Sequence, residues 1–264
     1  MSTLASPPGT CRVEFVMGMP IVADVRDEDV DEDVLDTVFD WLRLVDATFS
    51  TYKADSEICR LNRGELALAD TSPDVQEVLA RCDELRAETR GYFDVHAASP
   101  DSIDPSGLVK GWSVDRAAAI LDEAGVQNYA VNAGGDMRLA GRAVPELCWR
   151  VGIQHPLQRD QVAAVVEAGD LAVATSGAYA RGDHVLDPHT HRPPEGVFSV
   201  TVVGPDLATA DAYATAAFAM GPKAGPSWTA RLRGYEAMTI LADETVLSTS
   251  AFPAARDFSG DSQE

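Results

Sequence analysis

The chain has 264 residues, of which 45% are hydrophobic and 24% charged, a globular composition large enough for one big domain or two small ones. Its 21 basic and 42 acidic residues give a formal charge of −21. Such a surface repels phosphate backbones, which argues against stable nucleic-acid binding, and it would attract divalent cations; a generally acidic proteome is the weightier explanation of the charge. No apolar run approaches the ~18 residues of a membrane span. Met1–Thr10 lacks the basic and apolar regions of a secretory signal, so a cytoplasmic location is expected.

Arg12–Val25 is rich in β-branched residues around Pro20 and reads as a strand pair or a bulged strand. Asp27–Phe49 carries Val34, Leu35, Val38, Phe39, Leu42, Val45 and Phe49 at helical spacing. Ser50–Asn62 reads as a loop with a helical turn at Glu57–Leu61. Pro73–Arg90 is a second amphipathic helix with its proline at the start. The segment Asp104–Gly111 reads as a glycine-bearing turn, followed by a third helix over Trp112–Ala124 that Gly125 closes. Tyr129–Asn132 is a short strand entering a second glycine turn, Asn132-Ala133-Gly134-Gly135-Asp136. Beyond Gly141 the pattern turns to strands: Trp149–Ile153, Val162–Glu167, Leu171–Thr175, Val197–Val203 and Met238–Ala242. An alanine-rich helix, Asp206–Met220, ends at Gly221-Pro222. Helices first and strands later predict an α+β domain without repeats. Residues 1–12 are expected as a flexible arm, 13–253 as the domain and 254–264 as a disordered tail.

Cys11, Cys59, Cys82 and Cys148 form no C-x-x-C and no metal-ligand spacing with histidine. They read as reduced, buried or half-buried thiols.

Neither a Walker A loop nor G-x-G-x-x-G is present, so a nucleotide, if bound, sits on a less common scaffold. The two glycine turns can bring backbone N–H groups close to phosphate oxygens. On the alanine-rich helix, Asp211 and Thr215 lie four apart and share a face. A carboxylate and a hydroxyl one turn apart suit Mg²⁺. The plainer reading, a back-bonded threonine beside a solvated surface charge, outweighs it on this motif alone. Asp183–His191 holds three of the five histidines, but Pro188 and the alternating spacing argue against zinc. His184, flanked by Asp183 and Asp187, is the candidate general base; an inert surface loop is the even alternative. Thr175 and Ser176 end a strand with hydroxyls that can meet a phosphate or cap the next turn, and G-x-S-x-G is absent. Phe49–Lys53 offers an aromatic face, two hydroxyls and a cation; the other reading is a loop anchored by Phe49.

Taken in order, these segments resemble the FAD:protein FMN transferases, the ApbE family. The matching pieces are Met17-Gly18, Phe49-Ser50-Thr51-Tyr52-Lys53 with Ser56-Glu57-Ile58 and Leu61-Asn62, Gly91-Tyr92-Phe93-Asp94, Asp104–Gly111, Asn132–Asp136, Ala174-Thr175-Ser176-Gly177, His184–Thr190 and the Asp211/Thr215 helix. They span about Val13 to Pro253. The resemblance implies a single α+β flavin-transferase domain of mixed or antiparallel sheets with flanking helices, holding FAD in a cleft with Mg²⁺ at its pyrophosphate. It implies transfer of FMN from FAD to a Thr or Ser hydroxyl of an acceptor protein, with release of AMP. The implied metal ligands are Asp211, Thr215 and the Val109 carbonyl. FAD-lining residues by the same likeness are Met17, Tyr52 (on the adenine), Asp104, Gly107, Lys110, Asn132, Gly134, Gly135, Asp136, Thr175 and Ser176, with His184 and Asp211 serving the transfer. The acceptor is expected to carry an Asp-x-x-(Ser/Thr)-x-Ala-(Ser/Thr) type of motif. FAD hydrolysis to FMN and AMP, and FAD binding without chemistry, are the alternatives; a homodimer is left open. Val95-His96, Val109, Ala178 and His191 depart from the family pattern, His191 standing where glycine is usual.

Overall fold

The computed structural model describes residues 9–158, 160–177 and 185–255. Among the described residues, ten strands and six α-helices run in the order β1 (Thr10–Val16), β2 (Met19–Val25), α1 (Glu32–Phe49), α2 (Glu57–Asn62), α3 (Pro73–Glu88), α4 (Ser106–Glu123), β3 (Tyr129–Ala133), β4 (Asp136–Ala140), β5 (Trp149–Gln154), β6 (Val162–Ala168), β7 (Leu171–Gly177), β8 (Val197–Gly204), α5 (Leu207–Ala219), α6 (Gly221–Thr229), β9 (Glu236–Leu241) and β10 (Val246–Ser248). Eight strands form one sheet in the order β1-β2-β3-β4-β7-β8-β9-β10, and β5 pairs with β6 apart from it. All the pairings are antiparallel.

The period-2 alternation of the strands sorts their side chains onto two faces. Ile21, Ala23, Val25, Val131, Ala133, Ala174, Val200 and Val202 face a helical layer built from the apolar stripes of α1, α4 and α5. Ala130, Leu139, Val173, Val203 and Ile240 face the other way, onto Trp149, Val151, Ile153 and Val166 of the β5–β6 ribbon. A third cluster, including Phe49, Ile58, Val78, Leu85, Phe93, Leu108 and Val109, ties α2 and α3 to the helical layer. The α+β fold class is as expected, and the sheets are antiparallel.

α1 begins at Glu32 because Asp31 caps it, its carboxylate accepting from Asp33 N at 3.1 Å. α5 is buried on nearly every side, which explains its alanines: a helix enclosed all round must be narrow to be close to its neighbours. Gly111 of α4 is one point of close approach. A Cβ there would lie 2.5 Å from the Leu207 carbonyl oxygen.

Several expectations are corrected. Ser106–Gly111, read as a glycine turn, forms the first turns of α4, so the third helix starts six residues before Trp112. Asp104 makes that possible by accepting Ser106 N at 3.0 Å. Gly221-Pro222 ends α5 but also opens α6, and strands β4 and β10 were not expected. β1 begins at Thr10, inside the expected arm. Pro253–Ala255 are pinned to β6, with Ala255 N donating to Val165 O at 2.8 Å. Cys11 is exposed rather than buried or half-buried, and its strand position explains this: it points off the uncovered face of β1.

Candidate functional site

The site grows from three element ends. α4 supplies Lys110 from its first turns, the β3–β4 turn supplies Asp136, and α5 supplies Asp211. The Lys110 ammonium ion-pairs with Asp136 Oδ2 and lies 3.4 Å from Asp211 Oδ1. Both carboxylates are almost fully buried, at 2% and 3% exposure, so neither is a solvated surface charge. Asp136 is fixed further by Thr175 N, which donates to its Oδ1 at 2.9 Å. The other Asp211 oxygen, Oδ2, is buried without a hydrogen-bond partner among the described residues. Burial raises the Asp211 carboxyl well above the usual carboxylate range, against the pull of the Lys110 ammonium; neighbouring Asp136 adds to the rise.

One turn along α5, Thr215 Oγ1 lies 3.2 Å from Ser176 Oγ. Gly107 of α4 faces the same hydroxyl: a Cβ there would lie 4.0 Å from Thr215 Oγ1 and 3.2 Å from the Phe93 ring. Thr175 Oγ1 is joined to Thr201 Oγ1 at 2.9 Å. Asp211, Thr215, Ser176, Asp136, Lys110 and Gly107 therefore converge. Val109 is buried in the opening turns of α4. Its carbonyl belongs to a helix, not a glycine loop, and a ladder carbonyl keeps a second lone pair.

The two hairpin turns stand side by side. Met17 and Gly18, at φ 54° and 74°, close β1–β2, and Gly134 N donates to Pro20 O at 3.4 Å. Gly134 takes φ 62°, and a Cβ there would lie 3.0 Å from Met19 Sδ. Asn132 Oδ1 accepts Gly135 N at 2.9 Å and shapes that turn. Two further expected binders are exposed: Asp104, whose Oδ1 accepts Ser106 N at the start of α4, and Tyr52, 96% exposed with no ring contact among the described residues. His184 and Ala178 lie outside the described residues.

The Asp187–Thr190 segment is a tight turn: Asp187 accepts His189 N at 2.9 Å and the Thr190 hydroxyl at 3.0 Å. His189 then packs edge-on to Tyr92 at 4.6 Å. Two motif pieces far apart in sequence thus touch.

The oxygen set can be tested for a metal. Among the described residues no group of three His, Cys, Asp or Glu could hold one. The chemistry offered is a carboxylate with one oxygen unpartnered, a threonine hydroxyl a turn away and main-chain carbonyls. That fits a small hard cation that keeps positions for phosphate oxygens.

The ApbE family model matches residues 17–100 and 97–239. The chain belongs to the ApbE family. A FAD:protein FMN transferase of Vibrio cholerae is 39% identical over 133 residues, 47% of this chain and 40% of that protein. One from Salmonella typhimurium is 30% identical over 243 residues, covering 69% of this chain and 68% of the relative. The solved flavin transferase ApbE from Vibrio cholerae superposes with a TM-score of 0.82 at 25% identity, over 92% of this chain and 97% of that one. An ApbE protein from Thermotoga maritima shares the fold with a TM-score of 0.83 at 22% identity. The matched part spans 40% and 37% of the Vibrio cholerae and Escherichia coli relatives' own lengths.

Within this ApbE-family chain, Asp115 is a residue that sequence reasoning missed. Its carboxylate accepts Leu207 N at 2.9 and 2.8 Å and Ala208 N at 2.8 Å, capping α5 from the side of α4. The available signal was an acid one helical turn beyond Gly111, on a helix otherwise rich in small and apolar residues. By holding the start of α5, Asp115 sets where Asp211 stands one turn later.

Proposed function

We propose that this protein transfers FMN from FAD to a Ser or Thr hydroxyl of an acceptor protein, with Mg²⁺ and release of AMP. The observation that carries the reading is the unpartnered Asp211 Oδ2, buried one helical turn from Thr215. A native protein rarely buries a bare carboxylate oxygen unless something binds it. Membership of a family whose relatives are FAD:protein FMN transferases supplies the substrate class.

Asp211, Thr215 and the Val109 carbonyl would hold Mg²⁺, which when bound offsets the charge of the pyrophosphate. Lys110 brings a cation to the same place and is kept there by Asp136. The Met17-Gly18 and Gly134-Gly135 turns form the wall along which FAD would lie. Tyr52, fully available to solvent, would cover the adenine. The acceptor hydroxyl oxygen bonds to the FMN-side phosphorus, the phosphorus–oxygen bond to AMP breaks, and the hydroxyl proton passes to a base, for which His184 is the candidate. Such a reaction depends mainly on position and electrostatics, which a buried, rigid cluster supplies.

The test is intact-mass spectrometry of an acceptor carrying the Asp-x-x-(Ser/Thr)-x-Ala-(Ser/Thr) motif after incubation with the protein, FAD and Mg²⁺, with AMP followed in the same tube. One FMN added per acceptor, with matching AMP, is expected. AMP and free FMN without an adduct would replace transfer by hydrolysis.

A further inference from the structure

We propose that β1 is a dimerisation edge: two copies pair their β1 strands antiparallel about Val13, joining two eight-stranded sheets into one. β1 ends the sheet and pairs only with β2 among the described strands. The β1–β2 register runs unbroken over seven pairs from Thr10 to Val16. Natural edge strands are usually blunted by proline, charges, a bulge or shortness. β1 has no proline, lysine or bulge, and its two charges, Arg12 and Glu14, are paired with each other, whereas β10, at the other edge, is only three residues long.

The hairpin geometry says which backbone groups are open. A two-residue turn closes on a mutually hydrogen-bonded pair, here Val16 and Met19. Bonding then alternates along the strand. Thr10, Arg12, Glu14 and Val16 turn their N–H and C=O groups to β2, and Cys11, Val13 and Phe15 turn theirs outward. The same three residues carry exposed side chains, with Val13 at 60% and Phe15 at 75% exposure.

Self-complementarity selects a second copy as the occupant. Read antiparallel about Val13, the run Cys11-Arg12-Val13-Glu14-Phe15 sets Arg12 opposite Glu14 of the partner subunit and Cys11 opposite Phe15 of the partner subunit. Val13 meets Val13 of the partner subunit on the axis, as a hydrogen-bonded pair. Opposite charges and apolar pairs directly across strands stabilise a sheet. On the α1 side, Arg12 pairs with Asp36 and Glu14, and Arg43 with Glu14 and Asp40. Two cations against three carboxylates leave this edge near neutral on a chain of −21, where most surfaces would repel a copy. The contact is isologous and closes at two.

Sedimentation velocity of the full chain across a dilution series tests this, with Val13→Lys and Val13→Thr alongside. The wild type and Val13→Thr should show a concentration-dependent dimer. Val13→Lys places two ammonium groups on the axis and should weaken association at least ~100-fold, with circular dichroism unchanged, and with melting unchanged at dilutions where the wild type is monomeric, because the side chain is exposed. A wild type that stays monomeric throughout, a Val13→Lys that dimerises as well as the wild type, or assembly beyond a dimer would each overturn the proposal. Transfer activity does not enter the readout, so failure here leaves the functional reading untouched.

Discussion

Asp211 concentrates the conflict between stability and function in this molecule. A buried carboxylate beside a second acid costs stability that one lysine only partly offsets. Asp211→Asn is therefore expected to melt in EDTA at or above the wild-type temperature, by up to about 2 kcal/mol; calorimetry of the two proteins decides it. Asp115 shows the same physics in a structural role. Burial lifts its carboxyl from 3.8 to about 6, against the α5 amides that favour the charged form. The folded chain therefore holds a proton that the unfolded chain has already released between pH ~4 and ~6. That contribution, on the order of 2–3 kcal/mol, is complete below pH ~4 and lost as the pH rises through 6. Melting temperatures of wild type and Asp115→Asn should diverge across that window, with the wild type losing ground as pH rises. His191 sits at φ 54°, the left-handed region where histidine is tolerated but glycine is free. His191→Gly should be neutral to stabilising by up to about 1 kcal/mol in urea titration. A loss would mean that the side chain has contacts of its own to give up.

At the scale of elements, the crossing of α4 and α5 sets the site. Gly111→Ala would push a methyl group into the Leu207 carbonyl and cost about 3 kcal/mol. It should also part Lys110 from Asp211, so stability and transfer fall together in denaturation and mass assays. Much of this level was legible in the sequence. The stripe of α1, the proline-started α3 and the five later strands follow from periodicity and turn residues, because local chemistry agrees with their tertiary role. The start of α4 was not legible, because Ser106-Gly107 and Gly111 look like turn residues. Gly111 is there for the close approach of α5, and Gly107 for the space against Phe93 and Thr215. Both are packing demands set by residues outside the local segment, Leu207 and Thr215 about a hundred positions away and Phe93 on the preceding loop. The burial of Asp211 escaped for a related reason. An alanine-rich helix reads the same whether it is enclosed on all sides or only on one.

At the scale of the whole molecule, a buried polar cluster sits where the helical layer meets the sheet. The hydroxyls of Thr175 and Ser176 come from β7, Asp136 from β4, and Asp211 and Thr215 from the helix that crosses above them. The eight motif pieces could be grouped from sequence by family likeness. That Lys110 would bridge two carboxylates, and that His189 would pack on Tyr92, required the fold. Under the proposed function, Asp211 and Thr215 make the transfer metal-dependent. The acceptor mass assay run with wild type and Asp211→Asn, each with Mg²⁺ and with EDTA, decides this. One FMN per acceptor is expected from the wild type with Mg²⁺, none with EDTA, and a loss of ~100-fold or more in Asp211→Asn. Undiminished transfer by Asp211→Asn, or by the wild type in EDTA, would contradict it.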